Sequence, residues 1–141
     1  MHSSEGGRKV KQRSVLPEPL EAQEQRALFS WAALQARRHP ELRFMYHVPN
    51  GGKRNAKEAA HLKAEGVKAG VPDIVLPAAR GCFHGLYIEL KRQKSGSISR
   101  DQKDYLDFLQ KQGYCAVMCR GWKQAASTIL SYLGLKKGET Q

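Results

Sequence analysis

The sequence predicts an α/β domain in which a central mixed β-sheet is flanked by helices. Apolar residues recur at helical spacing from about Leu20 to Arg38, after Ser99 and over Gly121–Leu133. Short runs rich in β-branched and aromatic residues, at 42–48, 71–76, 86–91 and 114–119, lie between them, set off by turn chemistry. The resulting order, helix, three strands, helix, strand, helix (α-β-β-β-α-β-α), favours a mixed sheet covered by helices.

Taken in order, Leu20–Arg38 is an amphipathic helix and Leu42–Val48 a strand. Pro49-Asn50-Gly51-Gly52 then breaks the chain, and its glycines allow close approach to a phosphate backbone with Lys53 and Arg54 alongside. A plain turn with solvated charges explains the same residues equally well. Ala56–Ala64 suggests a short helix leading to a glycine-rich turn at Gly66–Gly70. Strands follow at Val71–Leu76 and Leu86–Lys91, separated by the Ala78–His84 connection, and then comes a loop, Gln93–Ile98. Ser99 is an N-cap whose capping box is completed by Gln102. Since Gln102, Leu106 and Leu109 share the inward stripe, the Gln102 amide can cap the helix, reach a site at the strand ends, or do both. Tyr114–Cys119 is the last strand and Gly121–Leu133 the last helix. Trp31 and Trp122, at apolar helical spacings, read as core or interface anchors rather than base-stacking platforms.

The chemistry concentrates in two short segments. Pro72-Asp73 precedes the apolar run Ile74-Val75-Leu76, and Tyr87-Ile88-Glu89-Leu90-Lys91 places a carboxylate and an ammonium two residues apart on one face of a strand. Isolated charges are expensive to desolvate, so such a strand pairs them with each other, a metal or a substrate. Two carboxylates and a lysine suit a magnesium-dependent phosphodiesterase: magnesium takes oxygen ligands from one or two carboxylates plus substrate phosphate, and the lysine orients water or stabilises developing charge. Alone the pattern is degenerate, since an ordinary Glu-Lys pair on a half-solvated strand reads the same way.

Composition sets consistent bounds. The chain has 141 residues and a formal charge of +11, with clusters at Arg8–Arg13, Lys53–Lys57, Arg80, Lys91–Lys94 and Lys136–Lys137. A charge of that size favours a polyanionic partner through counterion release. There is no apolar run long enough to cross a membrane and no apolar segment after the basic residues of the N-terminus, so a soluble, cytoplasmic protein is expected. Residues 1–17 read as a flexible basic arm, 18–135 as one domain and 136–141 as a tail. The three cysteines, Cys82, Cys115 and Cys119, have no framework spacing, and Cys115 and Cys119 read as same-face strand residues rather than a zinc knuckle.

The stretches VPNGGKR at 48–54, EGVKAGVPDIVLP at 65–77, HGLYIELKRQKSG at 84–96, SRDQKDYLDFLQKQGY at 99–114 and GWKQAASTILSYL at 121–133 resemble, in order and spacing, the stand-alone VRR-NUC nucleases. These are small, often phage-encoded members of the PD-(D/E)xK superfamily. The resemblance covers about residues 18–133 and implies a restriction-endonuclease-like core. It further implies Asp73 and Glu89 as ligands of Mg2+ or Mn2+, the Leu90 carbonyl as an additional ligand, Lys91 as the catalytic lysine and Gln102 near the active site. The activity it implies is a structure-specific DNA endonuclease, acting on branched DNA such as the four-way (Holliday) junction, as a homodimer, with no small-molecule cofactor, in a bacterial or phage-infected cell. DNA contacts are expected at Asn50, Gly51, Lys53, Arg54, Arg92 and Lys94. Two alternatives stand beside this reading: a nuclease for flaps or other DNA or RNA structures, and a non-catalytic DNA-binding module of the same fold.

The family also carries a metal-binding glutamate on its first helix, for which Glu21 and Glu24 compete. At 100° per residue Leu20, Glu24, Leu28 and Trp31 form one stripe with Glu24 near its centre and Glu21 toward its edge, which favours Glu24 compensated by a bound cation. A first-turn role in the helix dipole is the plainer reading of Glu24. His47, at a strand end before Pro49, reads as a half-buried structural histidine, with a phosphate contact or proton transfer as the alternative.

Overall fold

A computed structural model describes residues 16–49 and 55–138; the expected arm up to residue 15, the Asn50, Gly51, Lys53 and Arg54 turn and the last three residues lie outside them. The described element order is α1 (Glu21–Gln35), a 3-10 turn (Pro40–Phe44), β1 (Tyr46–His47), α2 (Ala56–Ala64), β2 (Ile74–Leu76), β3 (Leu86–Lys91), α3 (Arg100–Lys111), β4 (Cys115–Arg120) and α4 (Gly121–Leu133).

The sheet runs β1-β2-β3-β4. β1 pairs antiparallel with β2 through Tyr46 and Val75, and β2 antiparallel with β3 through Ile74 and Ile88. β3 and β4 are parallel over their full length, from Leu86 opposite Cys115 to Lys91 opposite Arg120, with α3 as the crossover. The sheet is therefore mixed.

The strand expected over Leu42–Val48 shrinks to Tyr46–His47. Pro40 at the first position, with its fixed φ, starts a 3-10 turn that buries Leu42, and Met45 joins the same core. The strand expected over Val71–Leu76 begins only at Ile74, because Pro72 has no N–H to pair and the following Asp73 turns its side chain to β3. α1 is likewise shorter than expected, ending at Gln35.

One face of the sheet carries the main core, where Ile74, Leu76, Leu86, Ile88 and Leu90 meet Leu28 and Ala32 of α1 and Ala125, Ile129 and Tyr132 of α4. Each fully buried aliphatic side chain stabilises the fold by about 1.5–3 kcal/mol. On the other side, Leu106 and Leu109 of α3 pack on Ala116, with Tyr87 and Tyr114 alongside. Tyr132 donates its hydroxyl proton to the Ala78 carbonyl, tying α4 to the β2–β3 connection.

Candidate active site

β3 outruns β2. The β2 pairing starts at Ile74 opposite Ile88, so Glu89, Leu90 and Lys91 extend past the first residue of β2. Asp73 fills the gap with its side chain: the Leu90 N–H donates to Asp73 Oδ2 at 2.8 Å. The N–H and C=O of one strand residue point to the same side, so the Leu90 carbonyl opens on the edge that Asp73 occupies. Glu89 is only 1% exposed and Lys91 9%, so both charges of the strand motif are withdrawn from water.

Each Glu89 oxygen has a distinct environment. Oε1 accepts from Gln102 Nε2 at 2.8 Å and lies 3.4 Å from Lys91 Nζ. Oε2 is buried and has no hydrogen-bond donor among the described residues. Burial first, and the facing Asp73 charge second, push the Glu89 carboxyl up to about 8, against the pull of Lys91. Asp73 is also raised, mainly by burial, and is held back first by the Leu90 N–H. An orphaned buried carboxylate oxygen beside a second carboxylate is where a cation relieves both desolvation and repulsion.

Gln102 performs both of its candidate roles. Ser99 Oγ accepts the Gln102 N–H at 3.2 Å while Gln102 Oε1 accepts the Ser99 N–H at 2.9 Å. That capping box fixes the side chain so that its remaining amide group meets Glu89. The amide's oxygen serves the helix and its nitrogen serves the site.

Glu24 does not join these groups, which corrects the choice made from helix phase. It is buried in the α1 stripe as the phase requires, 1% exposed, but Oε1 accepts from Gln93 Nε2 and Oε2 from the Trp122 N–H, both at 2.7 Å. The carboxylate caps α4, whose own N-terminal residue Arg120 supplies no side-chain cap. Gly121 makes room for it: φ is +77°, and a Cβ there would fall 2.9 Å from Gln93 Cγ and 3.4 Å from Glu24 Oε2. The first-helix carboxylate that feels the site is Glu21, at the first position of α1. Its carboxyl is raised by partial burial and then by the Asp73 charge, with Lys91 opposing, although the residue as a whole is exposed.

Among the described residues no three Asp, Glu, His or Cys side chains gather closely enough to form a metal cluster by themselves. Asp73 and Glu89, with the Leu90 carbonyl beside them, match the small set of protein oxygens that magnesium takes while keeping several waters. The residues present fit a divalent cation.

Two of the expected DNA contacts are placed. Arg92 is turned inward: Nε donates to the Pro19 carbonyl at 3.1 Å and Nη2 to the Glu18 carbonyl at 3.0 Å. It is a fastening for the N-terminal segment rather than an outward phosphate ligand. Lys94 is exposed. His47, expected half-buried, is exposed, and its Nδ1 lies 3.1 Å from the Asp73 carbonyl oxygen, at the rim of the site. Cys115 and Cys119 are buried and Cys82 exposed, all as free thiols.

The VRR-NUC domain profile matches residues 13–123, a span that contains Glu21, Asp73, Glu89, Lys91 and Gln102. The chain belongs to the VRR-NUC domain family. A solved VRR-NUC domain protein is 33% identical in sequence and superposes with a TM-score of 0.76, covering 89% of this chain and 99% of its own. No curated protein matches. Membership makes this a nuclease domain of the PD-(D/E)xK type, a class that generally uses divalent metals.

Proposed function

We propose that the protein is a divalent-metal-dependent endonuclease that hydrolyses phosphodiester bonds in branched DNA, four-way junctions above all, as a homodimer in the cytoplasm of a bacterial or phage-infected cell. The buried, donorless Oε2 of Glu89 beside Asp73 carries the metal dependence. Asp73, Glu89 and the Leu90 carbonyl would hold Mg2+ or Mn2+, which when bound neutralises phosphate charge and acidifies water.

This chain's own groups do the rest. Lys91 presents a buried ammonium whose attraction to the scissile phosphate is strengthened by its low-dielectric surroundings. Gln102 pins Glu89 so that its second oxygen keeps one orientation. Glu21, at the mouth, contributes negative charge within reach of Asp73 and Lys91 and is a candidate for an outer ligand role. The net charge of +11 binds the phosphate backbone without reading base sequence, which suits recognition by structure.

Junction preference and dimerisation rest on family likeness and on symmetry, since paired cuts in two strands call for two sites related by a two-fold axis. The test is cleavage of matched junction, flap, linear duplex and RNA substrates with Mg2+ or Mn2+, together with light scattering. Paired symmetric cuts in the junction by a species of twice the chain mass support the reading. Preferential cutting of flaps or RNA, or a monomer leaving scattered nicks, replaces the junction assignment with one of those substrates.

A further inference from the structure

We propose that Glu18 and Arg120 are positioning residues of the nuclease site, which together fix the turn 92–96 and through it hold Lys91 and the start of α1 in register. The inference rests on the reading of Asp73, Glu89 and Lys91 as the reaction centre.

The turn 92–96 directly follows Lys91 and leads toward the capping box of α3. Five of its main-chain polar groups are taken up by two charged side chains. Glu18 Oε1 accepts the N–H of Lys94 at 2.7 Å and that of Ser95 at 2.9 Å, while Oε2 accepts the Ser95 hydroxyl at 2.8 Å. Arg120 donates from Nη1 to the carbonyls of Arg92 (3.3 Å) and Ser95 (3.1 Å) and from Nη2 to that of Gly96 at 2.9 Å. A carboxylate thus collects two of the turn's N–H groups and a guanidinium serves three of its carbonyls. Bonds of this charge-assisted kind are about twice as strong as neutral ones.

Both partners connect to the reacting groups. Arg120 is the β4 register partner of Lys91. Glu18 precedes Glu21 by one turn's length of chain, and Arg92 closes the loop by donating to the Glu18 and Pro19 carbonyls. At the far end of the turn Gly96, with φ +83°, folds back on the lysine, so that a Cβ there would lie 3.7 Å from Lys91 Cδ. The turn thus closes on the Lys91 stem with room for little more than one added methyl group. Hydrogen bonds to Lys94 and Ser95 hold the Glu18 carboxyl down at about 2, so the clamp stays ionised throughout the working range of a nuclease.

The experiment uses the full chain and a labelled four-way DNA junction with Mn2+, reading single-turnover cleavage at saturating protein, junction affinity in Ca2+ and thermal unfolding. Glu18→Ala and Arg120→Ala are expected to lose at least about tenfold in cleavage rate, with affinity held within about twofold. Glu18→Gln recovers most of the rate, because its amide oxygen still accepts both N–H groups. Arg120→Lys does not recover it, because an ammonium lacks the fork. Should the alanine variants fail to fold, Ser95→Ala, which deletes one donor to Glu18, is expected to lose about threefold in rate at unchanged affinity. Wild-type rates in the folded variants, or losses confined to affinity, overturn the inference. Lys91→Ala separates this from the underlying reading: if it cuts normally, the reaction centre itself is misassigned.

Discussion

The carboxylate of Glu24 on α1 accepts the main-chain N–H of Trp122 at the start of α4, 2.7 Å away. Residues 98 apart in sequence are joined by one capping contact. A buried glutamate whose two oxygens are both engaged is a structural anchor, and it is the neighbouring Glu21, one helical turn earlier, whose carboxyl is raised by partial burial and then by the Asp73 charge.

The two glutamates should therefore separate by phenotype. Glu24→Ala removes a helix cap and leaves the Trp122 N–H without its acceptor, which costs about 1–2 kcal/mol of stability. Glu21→Gln should leave the melting temperature within a degree or so and slow single-turnover cleavage about tenfold, equal to about 1.4 kcal/mol of transition-state stabilisation. Thermal melts paired with rate measurements on both variants check this; a stable, slow Glu24→Ala and a silent Glu21→Gln would reverse the assignment.

Much of the fold was legible because it rests on local pattern. β3 and α4 begin and end where periodicity places them, and Ser99 with Gln102 announced its capping box three residues in advance. Leu42–Val48 misled because its aromatic and β-branched content mimics a strand, whereas Pro40 and the burial of Leu42 against α1 select a tight turn. In the site, Asp73, Glu89 and Lys91 were visible as a motif. Glu24 was correctly placed on the buried stripe, but periodicity gives only the face of a helix and not what lies across it. The start of α4 and Gln93 meet Glu24 only in the folded chain, and the same is true of Arg120 and Glu18 on the turn 92–96.

Glu89 makes metal-free stability depend on pH. Its folded pKa, about 8, exceeds the ordinary carboxylate value, so its favourable contribution is complete below about pH 4.5 and is lost as pH rises through 8. In EDTA the melting temperature of Glu89→Gln should draw ahead of wild type as pH goes from 5.5 to 8.5, by about 4 °C for each ~1 kcal/mol. Mn2+ should restore the wild type selectively at the higher pH and release protons near neutrality, visible by calorimetry in buffers of different ionisation enthalpy. Parallel melting curves for the two proteins would contradict the charge crowding at Asp73 and Glu89.

The two functions of Gln102 can be pulled apart. Ser99→Ala deletes the cap oxygen alone and should lower stability by about 1 kcal/mol with little change in rate. Gln102→Ala also frees Glu89 Oε1 and should lose at least about tenfold in cleavage beyond any stability change. Equal activity in the two variants at matched folded fraction would reduce Gln102 to a cap.

The central claim is that Asp73 and Glu89 hold the cation on which cutting depends while the basic surface holds the DNA. Its most direct test is Glu89→Gln on a labelled four-way junction with Mg2+ or Mn2+, measuring cleavage and binding on the same folded sample. Cutting should vanish while junction affinity stays close to wild type, because affinity comes from phosphate contacts elsewhere. Cleavage at the wild-type rate by Glu89→Gln would show that the reaction does not run through this site.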